Sequence, residues 1–184
     1  MMLMVGQKIY GVNMTIEINT YHGIHFKEKE EKCVDIIKKH IKDISKVSII
    51  GTRYPFNYVK GLKGCEFNLI DFHPYFEKWC LENLSFANIN IFKMRPLFDI
   101  DIINSIVSDS DLIIFPETEY LLPFEYLKYD LKDKNVMFVN EFFEPNHIKN
   151  NFVYSLSDME EMCDVKSDIK GKLNNTSFYL LKLA

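Results

Sequence analysis

The chain has 184 residues, of which 47% are hydrophobic and 26% charged, with a net charge of −4. This is the profile of an ordinary soluble globule, long enough for one domain with a real core. The acidic balance, with no Lys/Arg run dense enough to form a stripe, argues against a nucleic-acid backbone as the main partner. No apolar segment approaches the ~20 residues of a transmembrane helix. The start Met1-Met2-Leu3-Met4-Val5 is short and lacks a charged flank, so it does not read as a signal peptide. Cys33, Cys65, Cys80 and Cys163 are far apart and form no C-x-x-C pair, which suits a reduced, cytoplasmic protein with buried thiols and no metal site.

In chain order, residues 1–25 mix short β-like patches with turn signals and read as an irregular N-terminal extension to a domain over 26–184. From Phe26 to Ser45, apolar residues at Cys33, Val34, Ile37, Ile41 and Ile44 recur at helical spacing. Within this helix Lys27-Glu28-Lys29-Glu30-Glu31-Lys32 alternates in sign and reads as a solvated face. Strands are then expected over Lys46–Ile50, Glu66–Ile70, Asn88–Phe92, Asp111–Phe115 and Asn135–Val139. Between them fall short helices over Tyr58–Leu62 and Pro74–Asn83, one capped by Asp99 or Asp101 and running through Val107, and one over Pro123–Tyr129. Ser157-Asp158-Met159-Glu160 looks like a capping box. Val165–Leu173 and Ser177–Leu183, joined by Asn174-Asn175-Thr176, read as a terminal antiparallel hairpin. Five β/α units and a final antiparallel pair predict an α/β fold: a Rossmann-like, doubly wound, mostly parallel sheet with a hairpin at one edge.

The first predicted strand stops at Gly51 and the second, about twenty residues on, at Asp71. In α/β nucleotide sites a glycine at such a turn lets the backbone approach the ligand, and an acid accepts hydrogen bonds from ribose hydroxyls. An N-cap for the helix near Pro74 is the other reading of Asp71. The turn Gly51-Thr52-Arg53-Tyr54-Pro55 has one glycine and does not satisfy G-x-G-x-x-G.

Three stretches give the chain a family likeness. Ile49-Ile50-Gly51-Thr52-Arg53-Tyr54 is similar to a turn of the type I-G-S-W-Y-G. Asp111 to Tyr120 (DLIIFPETEY) is similar to a strand and loop of the type D-x-x-I-N-T-S-C-E-H. Asn140 to Ile148 (NEFFEPNHI) is similar to a segment of the type N-D-F-F-E-x-x-x-H-I-N. With these stretches the chain resembles class I methyltransferases that use S-adenosylmethionine (SAM), in particular small phage- or bacteria-encoded ones, over roughly residues 30–184. The resemblance implies SAM as cofactor, held by Gly51, Thr52, Arg53, Tyr54, Asp71, Phe72, Phe115 and Pro116. Glu117, Glu119 and Tyr120 would face a small-molecule methyl acceptor. Arg53 could pair with the methionine carboxylate of SAM, pair with an acid such as Glu117, or fill the pocket; a carboxylate at Glu117 or Glu119 could act as a base or belong to a solvated loop; and Tyr120 could offer a ring face to the sulfonium or pack in the core.

Where the family pattern has Asn, Ser, Cys and His, this chain has Phe115, Glu117, Thr118 and Tyr120. That difference motivates a second reading, an enzyme that cleaves SAM or displaces it internally with no separate acceptor. The single-glycine turn with Pro55, together with Lys93, motivates a third, a non-catalytic binding module on the same fold. His22 and His25 could close over the site from the N-terminal extension, and His147 could position its own loop. A chain with 14% aromatic residues also leaves room for a homodimer face.

Overall fold

The computed structural model describes residues 27–52, 54–96, 98–118, 129–141, 155–174 and 177–184. The first helix, α1, spans 27–40. It ends earlier than its apolar spacing suggests because Asp43 takes a left-handed φ of 57°, which an α-helix cannot continue through. The elements that follow are β1 (Lys46–Ile50), α2 (Phe56–Gly61), β2 (Glu66–Asp71), α3 (Phe76–Asn83), β3 (Asn88–Lys93), α4 (Ile100–Val107), β4 (Leu112–Phe115), β5 (Asn135–Glu141), α5 (Leu156–Cys163), β6 (Ile169–Lys172) and β7 (Ser177–Lys182). The expected extension over 1–25 and most of the helix expected over Pro123–Tyr129 lie outside the described residues.

The strands form one sheet in the order β3-β2-β1-β4-β5-β7-β6. The five strands from β3 to β5 run parallel, β7 runs antiparallel to β5, and β6 runs antiparallel to β7. Side chains alternate between the two faces, as strand geometry requires. Val47, Ile49, Leu112, Ile114, Met137 and Val139 face one core, shared with Cys33, Val34 and Ile37 of α1, Tyr58 and Val59 of α2, and Phe76 and Cys80 of α3. Ile50, Ile113, Phe115, Val136 and Phe138 face the other, closed by Ile103 and Val107 of α4 and Met159 and Cys163 of α5. A sheet covered on both sides is why these strands read as continuous apolar runs.

Several boundaries differ from the sequence expectation for local reasons. Gly61 closes α2 instead of stopping it, and Gly64, at φ 101°, makes the turn. Pro74 lies in the turn before α3, which begins at Phe76. Asp99 is the residue before α4, but its carboxylate accepts the Arg95 N–H at 2.7 Å and makes no cap bond to the helix. Ser155, and not Ser157, caps α5, its hydroxyl accepting the Asp158 N–H at 3.2 Å. Glu160 reaches Ser167 and Lys170 instead of closing a capping box. The strand expected from Val165 is shorter, running over Ile169–Lys172.

The contact between α1 and α2 is tight. A Cβ on Gly61 would sit 2.7 and 2.8 Å from the two methyls of Val34, which is buried and stiff at χ1. Gly61→Ala is therefore expected to destabilise the fold by about 1–3 kcal/mol, despite alanine's better helix propensity. A urea midpoint equal to or above wild type would contradict this packing.

Candidate functional site

The strand order reverses direction between β1 and β4: β2 and β3 lie on one side of β1, and β5 lies beyond β4. In open α/β sheets the crevice outside the carboxyl ends of the strands at such a reversal is where ligands bind. Gly51 stands at that point, directly after β1. Its φ is 78°, its N–H donates to the Ile70 carbonyl at 2.9 Å, and a Cβ built on it would meet nothing within 4 Å. The backbone there is held in a form that favours glycine and has open space beside it. Thr52 is buried, and its hydroxyl accepts the Tyr54 N–H at 3.4 Å. Tyr54 is half-exposed and meets Trp79 edge-on at 5.1 Å. Arg53 lies outside the described residues.

At the end of β2, Asp71 is buried, and its Oδ1 accepts the His73 N–H at 2.7 Å. The carboxylate thus shapes the turn after β2. It is not the cap of α3, where Tyr75 occupies the N-cap position without a side-chain bond. Phe72 beside it is exposed.

At the end of β4 the ring of Phe115 is fully buried. It stacks on Phe138 with centroids 5.2 Å apart and planes 6° apart, and Tyr129 meets it edge-on. That ring belongs to the core, so Phe115 can line a crevice only through its backbone. Pro116 is buried and Glu117 half-buried. Thr118 is buried, its hydroxyl donating to the Val139 carbonyl at 2.8 Å and accepting from Asn140 Nδ2 at 3.1 Å. Glu119 and Tyr120 lie outside the described residues, as do His22, His25 and His147.

The first turn of α1 is a correction to the sequence reading. Lys29 is 1% exposed and Glu30 2% exposed, so this part of the charge run is not a solvated face. Asn57 of α2 donates from Nδ2 to Glu30 Oε2 at 2.8 Å. Burial still pushes the Glu30 carboxyl up to about 7, against the lowering effects of Asn57 and Lys29. Burial likewise pushes the Cys33 thiol up to about 12, which keeps it neutral, and raises Tyr58 well above its ordinary range. Cys33, Glu30 and Glu117 add to the rise at Tyr58, and Cys33 of α1 and Tyr58 of α2 share one core cluster. A signal for this was present in the sequence: Glu30 lies three, four and seven residues before Cys33, Val34 and Ile37, on the apolar stripe itself.

Among the described residues, three buried side-chain atoms have no hydrogen-bond partner: the Tyr58 hydroxyl, Asn140 Oδ1 and the Ser177 hydroxyl. Tyr58 lies early in α2, just after β1; Asn140 lies near the end of β5; Ser177 begins β7 opposite Glu141. All three fall at the carboxyl edge of the parallel strands. Leaving a buried polar atom unpaired costs about 1–3 kcal/mol.

No family model matches the chain, and no curated protein matches it. Solved structures match in fold. The N-methyltransferase NodS from Bradyrhizobium japonicum WM9 superposes with a TM-score of 0.61 at 11% identity, over 85% of this chain and 94% of that chain. NodS in complex with S-adenosyl-L-homocysteine (SAH) gives 0.58 at 12%, over 85% and 86%. The fibrillarin/Nop5p complex gives 0.59 at 13%, over 82% and 78%. A Rhodobacter sphaeroides structure described as a Zn-dependent alcohol dehydrogenase gives 0.59 at 12%, over 82% and 88%. At these identities the likeness is one of fold, and a shared fold does not fix an activity. Among the described residues no three His, Cys, Asp or Glu side chains gather as a metal-ligand set, and no helix is long and apolar enough to cross a membrane. The mostly parallel seven-stranded sheet with its antiparallel finish is the Rossmann-like fold found in class I SAM-dependent methyltransferases.

Proposed function

We propose that this protein binds SAM and transfers its methyl group to a small-molecule acceptor. The observation that carries the reading is Gly51: positive φ, open space beside its Cα, and a position at the strand-order reversal. The residues present fit the cofactor. Gly51, Thr52, Arg53 and Tyr54 would flank its methionine part, Asp71 and Phe72 its nucleoside, and the backbone of Phe115 and Pro116 the wall opposite. Glu117, Glu119 and Tyr120 would face the acceptor. SAM supplies a methyl carbon on a sulfonium, ready for in-line displacement. The chain's task is then to align the acceptor and remove its proton.

Isothermal titration with SAM and with SAH tests the reading, and no binding at millimolar ligand overturns it. Incubation with SAM alone, followed by mass spectrometry, separates transfer from cleavage, since a new product without acceptor shows cleavage. Gly51→Ala places a Cβ in the open approach and strains a left-handed backbone by about 1–2 kcal/mol. Its expected effect is a loss of about tenfold or more in SAH affinity; an unchanged Kd would remove Gly51 from the site.

A further inference from the structure

The two edges of the sheet differ in how they meet solvent. β6, at one end, carries Lys170 and Lys172 in its short length, and edge lysines keep a strand from pairing further. β3, at the other end, is uncharged from Asn88 to Phe92 and pairs with β2 residue by residue, without a bulge. The Met94 N–H donates to the Asp71 carbonyl, so Asn90 and Phe92 also bond on that side, and Ile89, Ile91 and Lys93 turn their backbone groups away from β2. Among the described residues no strand takes them. The side chains of Ile89, Ile91 and Phe92 are only half-buried. Apolar surface continues above and below the strand. On α3, Trp79 leans to the β1 side, where it meets Tyr54; Leu81, about 200° further round the helix, turns to the β3 edge and is 61% exposed. On α4, Asn104 accepts the Asp130 N–H on the β5 side; Ile102, again about 200° round, turns to the β3 edge and is 54% exposed.

We propose that the β3 edge is a dimer interface, taken by β3 of a second copy running antiparallel, so that the two sheets join into one. This does not depend on the methyl-transfer reading. A twofold axis at Asn90 sets the register. Ile89 and Ile91 of one copy then exchange backbone hydrogen bonds with Ile91 and Ile89 of the other, and these isoleucines meet on the α3 face of the sheet. Leu81 and Ile102 extend the apolar contact into the helix layers on either side. Asn90 asks nothing of the second copy, because its Nδ2 already donates to Glu66 Oε1 at 2.9 Å and Asn68 Oδ1 at 3.1 Å. The charge on the strand, Lys93, falls opposite Ala87 of the second copy. The two Lys93 side chains are then about 20 Å apart, beyond the screening length of about 8 Å at physiological salt. The edge is thus self-complementary, apolar against apolar with like charges apart, which is what a twofold interface requires. A strand about 20 Å long in a three-layer edge about 30 Å deep offers about 600 Å² per copy, near the low end of specific interfaces, so the dimer is of micromolar strength.

The test uses the full chain without ligand. Sedimentation velocity across the micromolar range should show a monomer–dimer equilibrium for wild type. Ile91→Lys puts a charge in the middle of the apolar edge, and Leu81→Lys puts one on its flank; each should weaken the dimer about tenfold or more. Leu81 is exposed, so its variant decides the matter if Ile91→Lys fails to fold. Asn90→Cys places two thiols across the axis in a non-hydrogen-bonded pair, with Cα atoms about 4.5 Å apart and within disulfide reach. Mild oxidation should link this variant into a covalent dimer and leave wild type, treated alike, unlinked. The proposal is overturned if wild type stays monomeric at the highest concentration, which would leave the edge to a strand of another protein. It is equally overturned if Leu81→Lys dimerises as wild type does, or if Asn90→Cys dimerises without linking.

Discussion

Replacing Phe115 with alanine is expected to lower the unfolding free energy by about 3–5 kcal/mol, the cost of removing a fully buried aromatic ring and leaving a cavity. The ring is stacked on Phe138, is met edge-on by Tyr129, and belongs to the core layer under α4 and α5. Urea unfolding should show a lower midpoint with an unchanged slope. A double-mutant cycle with Phe138→Ala should return a coupling of about 0.5–1.5 kcal/mol between the two rings. The sequence reading expected Phe115 among the residues that hold a cofactor. If Phe115→Ala instead lost SAH binding with little change in stability, the ring would have to face the ligand and not the core.

The second large effect is a pH dependence of stability that belongs to Glu30. Its carboxyl titrates near 7 in the folded protein, against an ordinary value of 4.5. Between those values the folded state holds a proton that the unfolded state has released, so stability falls as pH rises. The Glu30 contribution is fully present below about pH 4.5 and is lost as pH rises through about 7, a change of up to about 3 kcal/mol. Wild type is expected to be more stable near pH 5 than near pH 8 in urea titrations, whereas Glu30→Gln should be flat across that window. Glu160 acts in a separate range: Lys170 and Ser167 hold its carboxyl down to about 2, so its contribution is present above about pH 4.5 and fades only as pH falls below that. Matching profiles for wild type and Glu30→Gln between about pH 5 and pH 8 would mean that Glu30 is ionised in the folded protein.

Much of the fold was legible because it depends on periodicity. Val47 to Ile50 and Leu112 to Phe115 are apolar throughout, which two-sided burial requires, and Cys33, Val34, Ile37 and Ile41 keep the spacing of a helix with one buried stripe. The hairpin was visible as two alternating segments, though Val165 to Asp168 lie outside its strand. Caps were less legible. Ser155 and Ser157 are the same residue type two positions apart, and the choice between them depends on how the chain enters α5.

By itself the sequence determined a doubly wound α/β domain, its antiparallel finish, and the placing of Gly51 and Asp71 at strand ends, since hydrophobic period and turn chemistry are local properties. Only the tertiary structure decided what surrounds each side chain. It turned Phe115 into the core, gave the Asp71 carboxylate to the His73 amide, and took Glu30 out of a charge run that looked solvated. Burial, and with it the protonation of a carboxyl, is set by elements distant in the chain. Glu30 meets Asn57 across 27 residues, and that separation hides the contact from any local reading.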